Sequence, residues 1–492
     1  MTEEPKKVDR RNFLYVGLGA VALIAIGAAA YVAMNPPVVT QTVTTSVPTT
    51  SVITTTVPTT TATTVTTATT VPTTSIVTTT KTTTAVVRPV TVLTQSSVTN
   101  PMNAASAMFT QETGIPVELI NVPYADLQSK GMVELSIGNP AVDVLSTEIA
   151  YILDWHKYLE DLYPYVERDK YDLSGFSPTF LGYYSPPFYG VYEKGKPLYS
   201  IPYTMGMRVL GYRIDLFEKE GIRNYPKTIP ELLDTAIKLN KEGIAGYGMV
   251  AGTNLYCVTE WLHFLWAFGG QLLEWDGEKF KISFNSDNAV AALQFWSDLR
   301  NKYKVVQASA TEDGLSEIIS LGQQGVIAMG TFYTSWVIQM NDPTKSKVPG
   351  KWYCGVVPYH PDHAKPDTLR TALSGWGASI NKASKNKEAA WEFVKFIARP
   401  DIQLKLALQA QTAPAQISVL DNPDYIKAFP GQEGVKLSFP ISRNYTDPPY
   451  AKYNSLREIL MVELNNAVRQ KKTPKQALDD AASLAKEKLG LS

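Results

Sequence analysis

Three aromatic side chains stand beside residues that shape the backbone around them. Trp376 lies between Gly375 and Gly377. Tyr203 follows an Ile-Pro pair, and Trp336 ends the run AMGTFYTSW. Flat aromatic rings stack on the apolar CH faces of organic solutes, and glycine lets a ligand or a second backbone approach closely. These residues therefore predict a stacking site for a small organic molecule, and burial in the protein core is the alternative.

Polar groups that could bind hydroxyls follow two predicted strands. Thr147 and Glu148 come directly after the strand AVDVLS, and Tyr124 begins a helix after the strand IPVELINVP. Ligands of open α/β sheets bind at the carboxyl ends of the strands. We therefore predict that Glu148 accepts hydrogen bonds from ligand hydroxyls, with Thr147 and Tyr124 beside it. A solvated loop carboxylate is the alternative for Glu148.

Catalytic and metal-binding motifs are missing from the sequence. It has no GxSxG elbow, HExxH motif, phosphate-binding P-loop or GxGxxG turn. A glycosidase needs two carboxyl groups roughly 5 to 10 Å apart, and no motif picks out such a pair. The run HPDH, from His360 to His363, resembles a metal site but lies in a Pro-rich loop without a third ligand. The sequence therefore predicts no catalytic residue, no metal and no cofactor.

Several other conspicuous residues favour a structural role. Trp261, His263 and Trp266 in CVTEWLHFLWAFGG have helical spacing, so we predict that they lie in the core. The two cysteines, Cys257 and Cys354, form no CxxC pair, which excludes a zinc ribbon or redox motif. One disulfide and two buried free thiols remain equal alternatives.

Charge and composition exclude one class of partner. The 46 Lys and Arg residues balance 46 Asp and Glu residues over 492 positions. A protein that binds nucleic acid through phosphates carries an excess of positive charge. We therefore expect no nucleic-acid partner.

The N-terminus, residues 1–36, is predicted to be a signal peptide or a membrane anchor. A basic cluster precedes an uncharged run from Phe13 to Met34, which is long enough to cross a bilayer. Because the basic side stays in the cytoplasm, the rest of the chain is predicted to be outside. The run DRRNFL is similar to a twin-arginine export signal. Cleavage near Ala28-Ala29-Ala30 and retention of the segment as an anchor both stay open.

Residues 37–86 form a low-complexity tract. More than half of the residues from Thr40 to Thr84 are Thr, and three prolines interrupt them. Such a segment buries too little apolar area to offset its chain entropy. Tracts rich in Thr, Ser and Pro are typical of O-glycosylated stalks. We predict a disordered stalk between the membrane helix and a folded body.

The body from Val87 onward alternates strand and helix patterns. VVRPVTVLTQ, IPVELINVP and AVDVLS are apolar runs typical of strands, and helix patterns separate them. KTIPELLDTAIKLNKEG shows a capping box, with Thr228 three residues before Glu231. This alternation predicts a mostly parallel sheet covered by helices. The body has about 400 residues, which is more than a single hydrophobic core accommodates. The expectation is an α/β protein of two lobes.

Three stretches of the body resemble the extracellular solute-binding proteins of ABC importers, family 1, in the branch that binds maltose and other sugars. They are YSIPYTMGMRVLGYRIDLFEKEGIRNYPKTIPELLDTAIKL, QQGVIAMGTFYTSWV and LSGWGASINKASKNKEAAWEFVKFI. The resemblance covers about Val90 to Gly490. It implies a type II periplasmic-binding-protein-like fold, in which two lobes joined by crossing strands close on a ligand.

The resemblance also implies where the lobes and the ligand lie. Lobe 1 would span 87–205 and 376–425, and lobe 2 would span 206–375 and 426–492, with crossings near Tyr203–Arg208 and Ser374–Gly377. Gly375 and Gly377 would then belong to the hinge. Trp376, Trp336 and Tyr203 would face the cleft. Arg443 and Tyr445, in ISRNYTDPPY, match a ligand loop of relatives, although Asn444 also begins an N-glycosylation sequon.

By the same resemblance the protein binds a mono- or oligosaccharide as a monomer. It would deliver that sugar to a membrane permease with its ATPase subunits, from the outer face of the membrane. Alternatives are a non-sugar solute such as a peptide or polyamine, a sensing ectodomain and, less favoured, a glycoside-acting enzyme.

Overall fold

A computed structural model describes residues 88–96, 101–186, 190–444, 450 and 452–492. The predicted membrane helix, with its twin-arginine-like run, and the predicted stalk lie outside these residues. Within the described part of the chain, no helix combines the length and apolarity that a membrane crossing requires.

Eleven strands are present among the described residues. They are β1 Val90–Gln95, β2 Val117–Val122, β3 Val144–Glu148, β4 Ile201–Arg213, β5 Leu273–Trp275, β6 Phe280–Ile282, β7 Met329–Tyr333, β8 Trp352–Gly355, β9 Thr371–Ile380, β10 Ala413–Pro414 and β11 Ser442–Asn444.

Helices cover the sheets and carry most of the remaining residues. They are α1 Met102–Thr113, α2 Tyr124–Ser136, α3 Ile152–Trp155, α4 Tyr163–Asp169, α5 Pro178–Tyr183, α6 Ile214–Lys219, α7 Ile229–Leu239, α8 Leu255–Ala267, α9 Asp287–Asn301, α10 Leu315–Gln324, α11 Thr334–Met340, α12 Lys387–Ala398, α13 Pro400–Ala410, α14 Pro423–Ala428, α15 Glu433–Ser438, α16 Tyr453–Val468 and α17 Pro474–Leu489. Short 3-10 turns span His156–Tyr158, Pro366–Thr368 and Ile417–Asp421.

Local sequence signals explain several helix ends. Thr228 and Glu231 form the predicted capping box of α7, in which each side chain bonds the backbone of the other. α1 ends before Gly114, a glycine that adopts a left-handed conformation with φ 72° and so terminates the helix. α7 ends at Leu239, and Gly243 lies in the following turn with φ 76°.

The first lobe is built on the strand order β10-β4-β9-β3-β1-β2. β1 pairs in parallel with β2 and β3, whereas β9 runs antiparallel to β3 and to the first half of β4. Helices α12 and α13 pack against α1 on this sheet. β11 also pairs in parallel with β9, but the other strand pairs are antiparallel, so the sheet is mixed and the prediction of a mostly parallel sheet is wrong.

β4 joins the two lobes. Its residues up to Met207 pair with β9, and from Arg208 onward the same strand pairs with β7 and β8. The predicted first crossing near Tyr203–Arg208 lies within this strand. β9 enters the first lobe's sheet at Thr371, a few residues before the predicted boundary at 376, because Leu373 already opposes Met207.

The second lobe is mainly helical around β7, β8 and the end of β4. Helices α8, α9, α16 and α17 contact one another there. Trp261, His263 and Trp266 on α8 are buried, as predicted. Cys257 and Cys354 are both free and buried in the structure, so it contains the two thiols rather than the disulfide.

Candidate functional site

A cavity of about 600 Å³ opens between the two lobes, next to the crossing strand β4. The first lobe contributes the end of β3, the middle of β9, the first half of β4 and the residues before β10. The second lobe contributes one face of α10, one face of α11 and parts of α8 and α16. Its size falls in the range of small-molecule sites.

Five of the predicted ligand residues line this cavity, namely Trp376, Trp336, Tyr203, Glu148 and Tyr124. They come from five different elements, β9, α11, β4, β3 and α2. The structure therefore brings together residues that are far apart in the chain. Their contact with a ligand remains a proposal.

Aromatic rings line both sides of the cavity. On the first lobe, Trp376 packs edge to face with Tyr124, the two ring centroids being 6.0 Å apart. On the second lobe, Trp336 packs in the same way against Tyr256 and Tyr333, each at 5.3 Å. Tilted and edge-on packing of this kind fixes the ring planes. The cavity thus has two rigid aromatic walls.

Glu148 provides an acceptor in the first lobe's wall. Only 5% of this residue is exposed, and its Oε2 accepts a hydrogen bond from the hydroxyl of Tyr124 at 2.9 Å. Burial, and secondarily the negative charge of Glu148, raise the pKa of Tyr124 well above its usual value. Tyr124 therefore stays protonated and holds the carboxylate in place.

Arg457 on α16 lines the same cavity from the second lobe. Its Nη1 donates to Asn454 Oδ1 at 3.4 Å, and its Nη2 donates to the carbonyl of Leu255 at 3.2 Å. The guanidinium also lies 5.6 Å from the ring centroid of Tyr453. The cavity therefore carries a carboxylate on one lobe and a guanidinium on the other.

Tyr203 borders the cavity but is already engaged. Its ring is buried and its hydroxyl shares a hydrogen bond of 2.9 Å with Ser146. Burial raises its pKa. The hydroxyl therefore stays neutral, and its fixed position makes it part of the cavity floor.

Two of the remaining predicted ligand residues, Thr147 and Arg443, do not line the cavity. Thr147 is buried and its hydroxyl donates to the carbonyl of Leu145, because adjacent strand residues point to opposite faces and Glu148 takes the cavity side. Arg443 donates to the carbonyl of Ser442 instead. Tyr445 lies outside the described residues. Asn444 is 3% exposed in β11, which leaves little room for a glycan on the folded lobe.

The two glycines that flank Trp376 are required for packing. A Cβ on Gly375 would overlap the ring of Phe180, and a Cβ on Gly377 would overlap the hydroxyl of Ser200. Both glycines lie within the paired part of β9. The structure thus gives them a close-approach role, while a hinge role remains a prediction.

A buried arginine supports the second aromatic wall. Arg208 is fully buried, and its guanidinium carbon lies 4.9 Å from the ring centroid of Tyr333 and 5.4 Å from that of Trp336. It also donates hydrogen bonds to Thr331 and, at 3.1 Å, to the hydroxyl of Thr259. Cation–π contacts with a desolvated guanidinium fix ring positions strongly.

Sequence reasoning missed several residues that line the cavity, namely Tyr256, Arg457, Gln323, Gln339 and Gln411. Four of them lie on or beside helices of the second lobe, whose orientation the sequence does not reveal. The only local signal is the spacing of Leu315, Ile319 and Gln323, which places them on one helical face.

Metal ligands do not converge anywhere in the described residues, where no group of three His, Cys, Asp or Glu side chains could hold an ion. His360 and His363 pack against Phe268, and His363 Nδ1 is 3.2 Å from Asn288. The HPDH run is therefore a loop that packs against the second lobe.

Comparison with known proteins agrees with this architecture. Residues 92–404 match the family described as bacterial extracellular solute-binding protein. The chain is 25% identical over 391 residues to a probable amino-acid ABC transporter periplasmic-binding protein of Sinorhizobium fredii, which covers 77% of this chain and 84% of the relative. It is 26% identical over 306 residues to an erythritol/L-threitol-binding protein of Mycolicibacterium smegmatis, and the match covers 58% of this chain and 61% of that protein.

Among solved structures, maltose-bound MalE3 of T. maritima superposes with a TM-score of 0.69 and 26% identity, over 81% of this chain and 99% of that protein. A solute-binding protein of Agrobacterium radiobacter in complex with ribitol also superposes with a TM-score of 0.69, over 81% of this chain and 98% of that protein. Because the identity is only 24%, this likeness supports the fold alone. The chain therefore belongs to the bacterial extracellular solute-binding proteins, a family of binding proteins with two α/β lobes.

Proposed function

We propose that this protein is the extracellular substrate-binding component of an ABC importer and that it binds a carbohydrate in the cleft between its lobes. The observation that carries the proposal is the pair of aromatic walls, Trp376 with Tyr124 and Trp336 with Tyr256, that face one cavity. Rings on both sides can cover both apolar faces of a sugar. Glu148 and Arg457 between them can bind hydroxyls at the ring edge.

Relatives support the ligand class. The names of similar proteins specify maltose for one and erythritol or L-threitol for another. These ligands share neighbouring hydroxyl groups on a carbon chain or ring. A cavity that combines aromatic rings with charged hydrogen-bonding groups suits this chemistry.

Delivery follows from lobe closure. A ligand that contacts both lobes stabilises the closed form, and a permease that recognises this form receives loaded protein. The predicted N-terminal helix would anchor the chain at the outer face of the membrane. About 45 extended residues of the predicted stalk span at most roughly 150 Å. Such a tether would keep the cleft close to its permease at high local concentration.

A thermal-shift screen tests the proposal. The purified full chain is incubated with monosaccharides, oligosaccharides, polyols, amino acids, peptides and polyamines, and its unfolding temperature is recorded. Ligand binding to the folded state alone raises that temperature with concentration. A shift with sugars or polyols supports the proposal. Shifts only with peptides or amines, or measurable hydrolysis of the sugars, contradict it.

An amino acid is the second candidate. Its ammonium and carboxylate groups would match Glu148 on one lobe and Arg457 on the other. The relative in Sinorhizobium fredii bears the name of a probable amino-acid transporter component. The same screen separates the two candidates, because only the carbohydrate hypothesis expects neutral polyols to stabilise the protein.

A further inference from the structure

Two helices meet across the cleft through their first two turns. α2 packs on β1 in the first lobe, and α16 packs on α8 in the second lobe. Asn454 Nδ2 on α16 donates a hydrogen bond to Gln128 Oε1 on α2 at 2.6 Å. The lobes are therefore joined by a bond between two protein side chains, which requires no ligand.

This bond is the centre of a chain of four side chains. Gln128 Nε2 donates to Asp154 Oδ2 at 3.1 Å, and Asn454 Oδ1 accepts from Arg457 Nη1 at 3.4 Å. A guanidinium only donates hydrogen bonds and a carboxylate only accepts them. The two charged ends therefore fix how both amides are turned. The nitrogen of Gln128 faces Asp154, which leaves its oxygen for Asn454.

The charged ends also strengthen the chain. Burial raises the pKa of Asp154, whereas the hydrogen bond from Gln128 lowers it, because this bond favours the ionised carboxylate. Hydrogen bonds to charged groups are stronger than those between neutral groups, and consecutive bonds polarise one another. The bond between the two amides therefore gains from the charges on either side of it.

The chain lies at the edge of the cavity. Tyr124 is four residues before Gln128 on α2, and Arg457 is three residues after Asn454 on α16. Residues at these spacings share one face of a helix, and both Tyr124 and Arg457 line the cavity. The bond between the amides therefore fixes how far apart the two helices hold these cavity residues.

Its distance from the crossing strand makes this bond sensitive to lobe movement. In the first lobe's sheet, β9 and β3 separate β1 from β4, so α2 packs roughly 14 Å away from β4. A rotation of about 15° about β4 would move this region by roughly 4 Å. A hydrogen bond of 2.6 Å does not survive such a displacement. The bond therefore forms only when the lobes are close together.

We propose that Gln128 and Asn454 form an interlobe latch, which keeps a closed form of the two lobes populated in the ligand-free chain. The latch is defined by these two residues, and Asp154 and Arg457 orient them. The inference goes beyond the proposed function, because it assumes no particular solute. A solute that binds the closed form gains apparent affinity in proportion to the fraction of chain already closed.

Spin labels measure the separation of the lobes directly. Ser136→Cys on α2 and Val462→Cys on α16 provide one label on each lobe, and both positions are exposed. Cys257 and Cys354 are buried, so they do not compete for the label. Pulsed electron paramagnetic resonance on the full chain without ligand then gives the distribution of distances. We expect a short-distance closed population beside a longer, open one.

Two single variants and their combination test the latch. Gln128→Ala and Asn454→Ala should each lower the ratio of closed to open protein about three- to tenfold, the effect of one hydrogen bond. Both residues are half-buried, so alanine leaves the fold intact. The double variant should lower the ratio no further than the stronger single variant, because both changes remove the same contact.

Gln294→Ala is the matched control. The amide of Gln294 donates to Asp298 Oδ1 at 2.8 Å, which is the same kind of bond as that from Gln128 to Asp154 but lies within α9 of one lobe. This variant should keep the distances of the unaltered protein. A closed population that both latch variants reduce and the control preserves supports the latch. The absence of a closed population in the unaltered ligand-free chain, unchanged distances in the latch variants, or additive effects in the double variant would overturn it.

Discussion

Glu260 provides a pH-dependent probe of the second lobe beneath the cleft. This carboxyl group on α8 is fully buried. It accepts hydrogen bonds from the amide of Val250 at 2.8 Å, the indole of Trp296 at 3.2 Å and the hydroxyl of Tyr247 at 3.3 Å. Burial raises its pKa to about 7, although the charge of Arg208 and these hydrogen bonds oppose the rise.

The sign of the effect follows from proton binding. In the unfolded chain the group titrates near its ordinary pKa of 4.5, and in the folded protein near about 7. Between these values the folded state binds more protons than the unfolded state, so stability falls as the pH rises. This difference between the folded and the unfolded pKa corresponds to about 3 kcal/mol of unfolding free energy, which is lost as the pH rises from 4.5 to 7.

Glu260→Gln isolates this contribution. The variant cannot titrate at this position, and the loss of one acceptor for its three donors adds a constant offset. His263 remains in both proteins, so its own titration, with a pKa lowered to about 3 chiefly by burial, cancels in the difference. Denaturant unfolding at several pH values from 4 to 8 measures both proteins. The unaltered protein should lose about 3 kcal/mol relative to the variant as the pH rises from 4.5 to 7.

A difference between the two proteins that stays constant over this range would refute the reasoning. It would mean that Glu260 titrates alike in both states and that its buried hydrogen bonds balance the cost of desolvation. A difference of the opposite sign would mean that Arg208 dominates and keeps the carboxyl ionised.

Three further predictions concern the cleft. Trp336→Ala or Trp376→Ala should weaken sugar binding by roughly 1–3 kcal/mol through lost aromatic burial, and unchanged calorimetric affinity in both would remove them from the site. Gly375→Ala should lower unfolding free energy by about 1–3 kcal/mol, because its Cβ meets the Phe180 ring, and thermal unfolding that matches the unaltered protein would contradict this. Arg208→Lys should weaken sugar affinity about tenfold, because it loosens the aromatic wall around Trp336. A loss of stability with unchanged sugar affinity would show that Arg208 only stabilises the core.

The sequence predicted the framework because its signals are local. Apolar strand runs, the capping box at Thr228 and the glycine after α1 depend only on neighbouring residues, and the structure contains all three. The two-lobe expectation came from strand–helix alternation over about 400 residues and from resemblance to a family, and the comparisons confirm it. Trp376 was conspicuous because two glycines flank it on a single strand.

Residues whose direction depends on tertiary structure could not be placed. Thr147 and Glu148 are neighbours at a strand end, and only the pairing of β3 with β9 decides which of them faces the cleft. Arg457 lies on a helix near the C-terminus, far along the chain from every other cleft residue. Its contribution depends on how α16 packs against α8, which no local pattern specifies.

Arg208 connects the crossing strand with the cleft. It is the residue at which β4 leaves the partner β9 and begins to pair with β7, and its carbonyl accepts a hydrogen bond from Thr371 at the start of β9. Its guanidinium meanwhile lies against the rings of Tyr333 and Trp336. A rotation of the lobes about β4 therefore acts on the same residue that holds the second aromatic wall. Because a buried guanidinium keeps its hydrogen bonds only in a narrow geometry, lobe closure and the positions of these rings are expected to change together.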